Sequence, residues 1–166
     1  MADHLTATGI GRGAGAVGTN SNDRYNANSW NTPSLDPTAY FEFSLTPDTG
    51  YLVNFTSFTY TGQRSSTGPT SFAFRSSLDT FSSNVGSPSA TGGTISLAAD
   101  EFQSVDEAIT FRLFAWNTTN AGGTFSVNDF TFDGAVTAVP EPGTYAFGIG
   151  LLVVAVVITR RRQLAV

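Results

Sequence analysis

The sequence predicts an all-β fold, an antiparallel β-sandwich of jelly-roll type, followed by a single short C-terminal transmembrane helix. Three observations carry this expectation. Short runs such as "YFEFSL" (40–45) alternate apolar and polar residues with the two-residue period of a half-buried strand. Clusters of Ser, Thr, Gly, Asn and Pro separate those runs at regular intervals. The last apolar run, Tyr145 to Thr159, carries no charge, has no polar face and stops at three consecutive arginines.

Along the chain, Met1 to about Asn22 is Gly-rich and reads as a loose segment or a broken first strand, so residues 1–35 are set apart as an N-terminal Gly/Asn-rich segment, loose or an incomplete first strand. The sandwich itself is expected over 36–137. In "YFEFSL", Phe41, Phe43 and Leu45 share one face and Tyr40, Glu42 and Ser44 the other. "YLVNFTSFTYTG" continues the alternation but changes phase near Ser57, which predicts a bulge. "TSFAFRSS" turns Phe72 and Phe74 inward, and "GTISLAA" does the same with Ile95 and Leu97. "AITFRLFAWNT" sets Ile109, Phe111, Leu113 and Ala115 against Thr110, Arg112, Phe114 and Trp116. "GTFSVNDFTFDG" closes the body with Phe125 and Val127, then Phe130 and Phe132 after a second phase change. The turn clusters "TPDTG", "RSSTGP", "NVGSPSATGG" and "NTTNAGG" fall between these runs. Seven or eight such strands make two sheets, and phenylalanine, present 14 times, fills a gap of roughly 10 Å between them.

Composition narrows the function classes. Hydrophobic residues are 40% of the 166 and charged residues only 13%, so hydroxyls and amides must solvate the surface. The absence of cysteine removes disulfides, thiolate nucleophiles and Cys metal sites. All eight bases are arginines, and three of them (Arg160, Arg161, Arg162) sit in the last seven residues. Without those three, the remainder carries five bases against 13 acids, a net charge of −8. Such a body repels phosphate backbones, so nucleic acid is not expected as a partner.

The tail reads as an address. The run 145–159 has nine large apolar members and, as a helix, spans roughly 22 Å against a hydrocarbon core of roughly 30 Å. Summed insertion values give about −3 to −5 kcal/mol before its two glycines subtract something, a marginal span. The basic flank stays on the cytoplasmic side, which places everything before Tyr145 outside. "MADHLTATGIGRGAGAVG" has neither a basic n-region nor a continuous apolar h-region, so the export signal is expected upstream of Met1.

Val139-Pro140-Glu141-Pro142, followed by this short apolar run and the Arg cluster Arg160–Arg162, resembles the PEP-CTERM sorting signal of Gram-negative bacteria. The resemblance covers 139–166, and the tail unit is taken as 138–166. It implies a chain that is the substrate of an exosortase, a membrane-embedded cysteine transpeptidase, and that is exported in connection with exopolysaccharide and biofilm. It places the body first in the periplasm, anchored transiently in the inner membrane, and then at the cell surface or outside the cell. The residues suit such a role. Pro140 and Pro142 fix two φ angles and remove two N–H donors, which keeps the segment extended for reading, and Glu141 supplies its one charge. "RSSTGP" (64–69), "FRSSLDTF" (74–81) and "TFSVNDFTFDG" (124–134) also look like ectodomains that precede such tails. The last is similar to the terminal strand of carbohydrate-binding jelly rolls, although here the usual Asp-Asn order is inverted to Asn128-Asp129.

Candidate sites are few. The only histidine, His4, lies in the Gly-rich N-terminal stretch, and the paired acids Asp100-Glu101 and Asp106-Glu107 point to opposite faces rather than across one sugar. No catalytic residue and no enzyme activity are therefore expected. "GIGRGAG" lacks the strand and helix that a phosphate loop needs. No cofactor is expected beyond a structural Ca²⁺, for which Asp129, Asp133 or Asp79 would be ligands. Trp116, Tyr60, Phe114 and Trp30 are the aromatics that could stack on pyranose rings, Trp116 and Tyr60 foremost, and buried-strand packing is the competing account of Trp116 and Phe114. Arg64 and Arg75, each followed by two serines, could lie side by side on a hairpin or serve turn chemistry. The expected function is a non-enzymatic surface or extracellular-matrix protein anchored and processed through its tail. The alternative is a carbohydrate-binding module displayed by the same tail, with polysaccharide as partner.

Overall fold

The computed structural model describes residues 2–140. Glu141, Pro142, the predicted span 145–159 and Arg160–Arg162 lie outside the described residues. Ten strands run β1 (Leu5–Ala7), β2 (Gly11–Arg12), β3 (Val17–Gly18), β4 (Tyr25–Asn28), β5 (Tyr40–Pro47), β6 (Tyr51–Arg64), β7 (Ser71–Ser76), β8 (Gly92–Ser96), β9 (Ile109–Trp116) and β10 (Phe125–Ala138). They form two antiparallel sheets. One has the order β1-β5-β9-β7 with β2 also on β5, and the other the order β3-β4-β10-β6-β8. From β5 onward each strand lies in the opposite sheet from the one before it. The fold is an all-β sandwich, as the alternation predicts.

The phenylalanines fill the space between the sheets. Phe41, Phe43, Phe74, Phe111 and Leu113 of the first sheet and Phe55, Phe58, Tyr60 and Phe125 of the second are all buried. Phe58 stacks on Phe74 across the gap at 4.6 Å, and Phe43 meets Phe58 at 5.1 Å and Phe130 at 4.7 Å. Each ring removed from water contributes about 1.5–3 kcal/mol by burial. Both predicted phase changes are bulges in the β6–β10 pair. Ser57 pairs Asp133 while Phe55 pairs Gly134, leaving Thr56 as the extra residue; Val127 pairs Gly62 while Asp129 pairs Thr61, leaving Asn128. One residue is added in each case, so Phe58 and Phe130 face inward where strict alternation would turn them out.

The N-terminal expectation is corrected. Residues 5–28 belong to the sandwich: β1 and β2 pair with β5, and β3 with β4, which pairs with β10. The sandwich therefore runs from Leu5 to Ala138, not from residue 36 to 137, and Trp30 lies fully within its core. The glycines of "GIGRGAG" serve close approach. Gly13 and Gly15 donate to the carbonyls of Tyr40 and Thr38, and a Cβ on Gly13 would stand 2.1 Å from the Thr38 oxygen. No side chain fits there, so the stretch is an edge strand pressed against β5.

Candidate functional site

The long β6–β10 pair sets the two ends of the molecule. Arg64 opposite Phe125 marks one, and Tyr51 opposite Ala138 the other. At the second end the Val139 N–H donates to the Gly50 carbonyl at 2.8 Å, so the first residue of the Val-Pro-Glu-Pro string is still tied to the β5–β6 turn. Pro140, which has no N–H, follows at once. His4 sits beside this exit: its ring stacks on Tyr51 at 3.8 Å, and its Nδ1 lies 3.4 Å from an Asp48 carboxylate oxygen. The Asp48 N–H donates to the His4 carbonyl, which ties the N-terminal stretch to the same turn.

The aromatic candidates divide. Trp30 is fully buried, with its indole N–H donating to the Ala27 carbonyl. Tyr60 is 2% exposed; its hydroxyl donates to the Ser89 carbonyl at 2.6 Å and accepts from the Ser89 N–H at 2.9 Å. Burial pushes its phenol up to about 12, against the smaller opposing pull of the Ser89 backbone. Phe114 is 2% exposed beneath Tyr40 and Arg75. Tyr60, Trp30 and Phe114 are thus corrected as sugar contacts, because no ring face of theirs is open to a ligand. Trp116 alone of the four is only half-buried. It pairs with Ser71 at the end remote from the tail.

Phe114 is buried on the outer side of its sheet, where strand alternation leads one to expect water. The cover comes from Tyr40 and Arg75, and beside them the loop after β7 covers Arg112. Arg112 pairs with Glu42 through Nε at 2.9 Å, and its guanidinium carbon lies 4.1 Å from the Tyr40 centroid and 3.9 Å from that of Phe81. Arg75 holds the same loop by donating to Asn84 and to the Phe81 carbonyl. Arg75 and Arg112 are cross-strand neighbours, whereas Arg64 lies in the other sheet and donates to the Gly68 carbonyl. Arg64 and Arg75 therefore do not form a pair, and Arg64 serves turn chemistry. Arg112 was visible in the sequence only as an outward residue; nothing there signals its aromatic cover.

The calcium candidates are also separated by role. Asp129 accepts from the Phe130 N–H, Asp133 from the Ser57 hydroxyl, and Asp79 from Ser82 and Ser83. Desolvation raises the Asp79 carboxyl, but the hydrogen bonds from Ser83 and Ser82 together outweigh it and hold the group down at about 2. Among the described residues no three acids or histidines come together as a metal cage, and no helix is long and apolar enough to cross a membrane. Searches against family models, curated proteins and solved structures find no match to this chain.

Proposed function

We propose that this chain is an exported surface or extracellular-matrix protein whose PEP-CTERM tail directs membrane anchoring and exosortase-type processing. One observation carries the reading: the sandwich ends at the motif itself. Among the described residues the Val139 N–H makes the last backbone bond to the body, and the helix-breaking Pro-Glu-Pro sequence begins on the next residue. Two prolines in the four residues that follow the body disfavour a helix there, which suits a segment read by a membrane-embedded transpeptidase.

The strand order supports the finer, jelly-roll reading of the sandwich. β4, β10, β6 and β8 against β5, β9 and β7, with every connection crossing between sheets, is that order with one strand replaced by the loop 77–91.

The test is sorting in the native host. Glu141→Ala with Pro142→Ala is expected to leave the protein exported but retained in the inner membrane with its tail attached. Normal release of the double variant would overturn the reading.

A second reading is a carbohydrate-binding module displayed by the same tail, favoured by the half-exposed Trp116 at the end that points away from the anchor. It expects polysaccharide binding that falls on Trp116→Ala; inert behaviour towards every polysaccharide tried would remove it.

A further inference from the structure

Arg12, Arg24 and Arg64 come from three separate parts of the chain and meet around two adjoining polar depressions at the tail-remote end. One, of about 310 Å³, is lined by Arg12, Arg24 and Tyr25 among others; the second, of about 170 Å³, by Arg24, Gln63 and Arg64. Ser21, Arg24 and Asn26 belong to both, so the two are continuous.

Each guanidinium is anchored on a neutral acceptor. Arg12 Nη1 donates to the Tyr25 hydroxyl at 3.0 Å, Arg24 Nη1 to Gln63 Oε1 at 2.6 Å, and Arg64 Nη1 to the Gly68 carbonyl at 3.1 Å. Arg12 also rests against Gly18, where a Cβ would fall 2.5 Å from its Cζ. A guanidinium has five N–H donors, so these bonds fix each group while leaving most of its donors and all of its charge uncancelled. No carboxylate lines either depression. Among the described residues the ion pairs are His4–Asp48 and Arg112–Glu42, neither of which involves these three arginines. Three of the five arginines of an acidic body are therefore gathered in one acid-free depression.

We propose that this depression binds an acidic polysaccharide, a polymer of uronic-acid type. Guanidiniums suit carboxylates because their paired donors match the two oxygens. The walls between them are hydroxyls and amides, Asn26 and Ser126 among them, which match sugar hydroxyls rather than an apolar ligand. The acidic remainder of the body opposes long-range attraction of any polyanion, most strongly the densely charged DNA duplex, and restricts the contact to this depression. The proposal deepens the second reading above, that of a displayed binding module, and moves its site from Trp116 to the arginines.

The experiment uses the purified full-length chain in non-ionic detergent, titrated with polygalacturonate, with dextran as neutral polymer and with duplex DNA as another polyanion. Polygalacturonate is expected to bind in a salt-sensitive manner, and dextran and DNA much more weakly. Arg12→Gln/Arg24→Gln/Arg64→Gln is expected to weaken polygalacturonate binding about tenfold or more, while Arg75→Gln, on the other sheet, leaves it unchanged. Arg24→Gln alone, which removes the residue common to both depressions, is expected to weaken it measurably and remains informative if the triple variant unfolds. Equal binding of dextran or DNA, no binding of polygalacturonate, or unchanged binding by both Gln variants would overturn the proposal. Loss on Trp116→Ala with the arginine variants unaffected would overturn this site while leaving the binding-module reading in place.

Discussion

The Arg112 guanidinium carbon lies 3.9 Å from the centroid of Phe81, and Phe81 holds a left-handed backbone with φ of 59°. A bulky residue in that region is strained, and the preceding Thr80 shares it at φ 59°. The ring contact with Arg112 offsets the strain, since a partly desolvated cation–π pair contributes about 1–2 kcal/mol. Phe81→Ala should then cost about 1 kcal/mol, because it loses the ring and keeps the strain. Phe81→Gly loses the same ring but relieves the backbone, so it should be the more stable of the two. Thermal denaturation of both variants checks the order; a more stable Ala variant would mean that the left-handed loop does not persist in solution.

Phe58 touches both sheets, stacking on Phe74 at 4.6 Å and on Tyr60 at 5.5 Å, and it is fully buried. Phe58→Ala should cost about 3–5 kcal/mol through lost burial and a cavity. Phe130, only half-buried at the edge of the core, should cost clearly less on the same change. Denaturant titration separates the two, and equal losses would place the centre of the core elsewhere.

These two sites also show what the sequence made legible. Phe41, Phe43 and Leu45 face inward as their alternation requires, and the two phase changes were visible because Phe58 and Phe130 break the period of the residues before them. The N-terminal strands were not legible. At two or three residues each, β1, β2 and β3 are too short to display a period, and their glycines serve backbone contact rather than flexibility. Tyr60 and Phe114 fail for different reasons. The bulge at Thr56 turns Tyr60 inward with Phe58, while Phe114 stays on the outer face and is covered there by neighbouring side chains, Tyr40 and Arg75, which alternation does not reveal. The arginine depression was invisible because Arg24 and Arg64 are brought together only by the pairing of β4, β10 and β6, and Arg12, on β2 of the other sheet, reaches them only through Tyr25. The motif at Val139–Pro142 was legible as a string, and half of it lies outside the described residues.

Tyr60 titrates at about 12 in the folded state against an ordinary 10.0. Its folded value is the higher, so its contribution to stability is complete below pH 10 and is lost as pH rises towards 12. Tyr60→Phe should flatten that part of the stability curve while losing the two bonds to Ser89. Absorbance titration of the five tyrosines should show one late component that the variant lacks. A curve without a late component would refute the buried phenol.

Asp79 runs the other way. Its carboxyl is held at about 2 against an ordinary 3.8, so its support for the loop is present above 3.8 and is lost as pH falls towards 2. The carboxylate is exposed, so the effect should be local. Amide exchange at Ser82 and Ser83, which donate to it at 3.2 and 2.8 Å, should accelerate across that window and should be fast at all pH in Asp79→Ala. Protection unchanged by the substitution would show that the loop is held by Arg75 and its backbone bonds to Ser76 and Phe74 without help from Asp79.

Gly13 and Gly9 make a matched pair, since a Cβ at Gly13 meets the Thr38 oxygen at 2.1 Å and one at Gly9 meets nothing within 4 Å. Gly13→Ala must push β2 off β5 and should cost about 1–3 kcal/mol. Gly9→Ala should be neutral or slightly stabilising, because it restricts the unfolded chain. Melting temperatures decide; tolerance of Ala at both positions would return the stretch to the loose segment its composition suggested.

The absence of a linker sets the last expectation. From Val139 to Tyr145 six residue steps reach at most about 20 Å, so with 145–159 in a bilayer the β5–β6 turn must lie close to the lipid. The opposite end is about 45 Å away along the 14 residues of β10. In proteoliposomes, a fluorophore on Thr49→Cys in that turn should be quenched strongly by headgroup-labelled lipid. One on Asn120→Cys, between β9 and β10, should be quenched weakly. Equal quenching would mean that the body lies flat on the membrane, and the arginine depression would then face lipid instead of the medium.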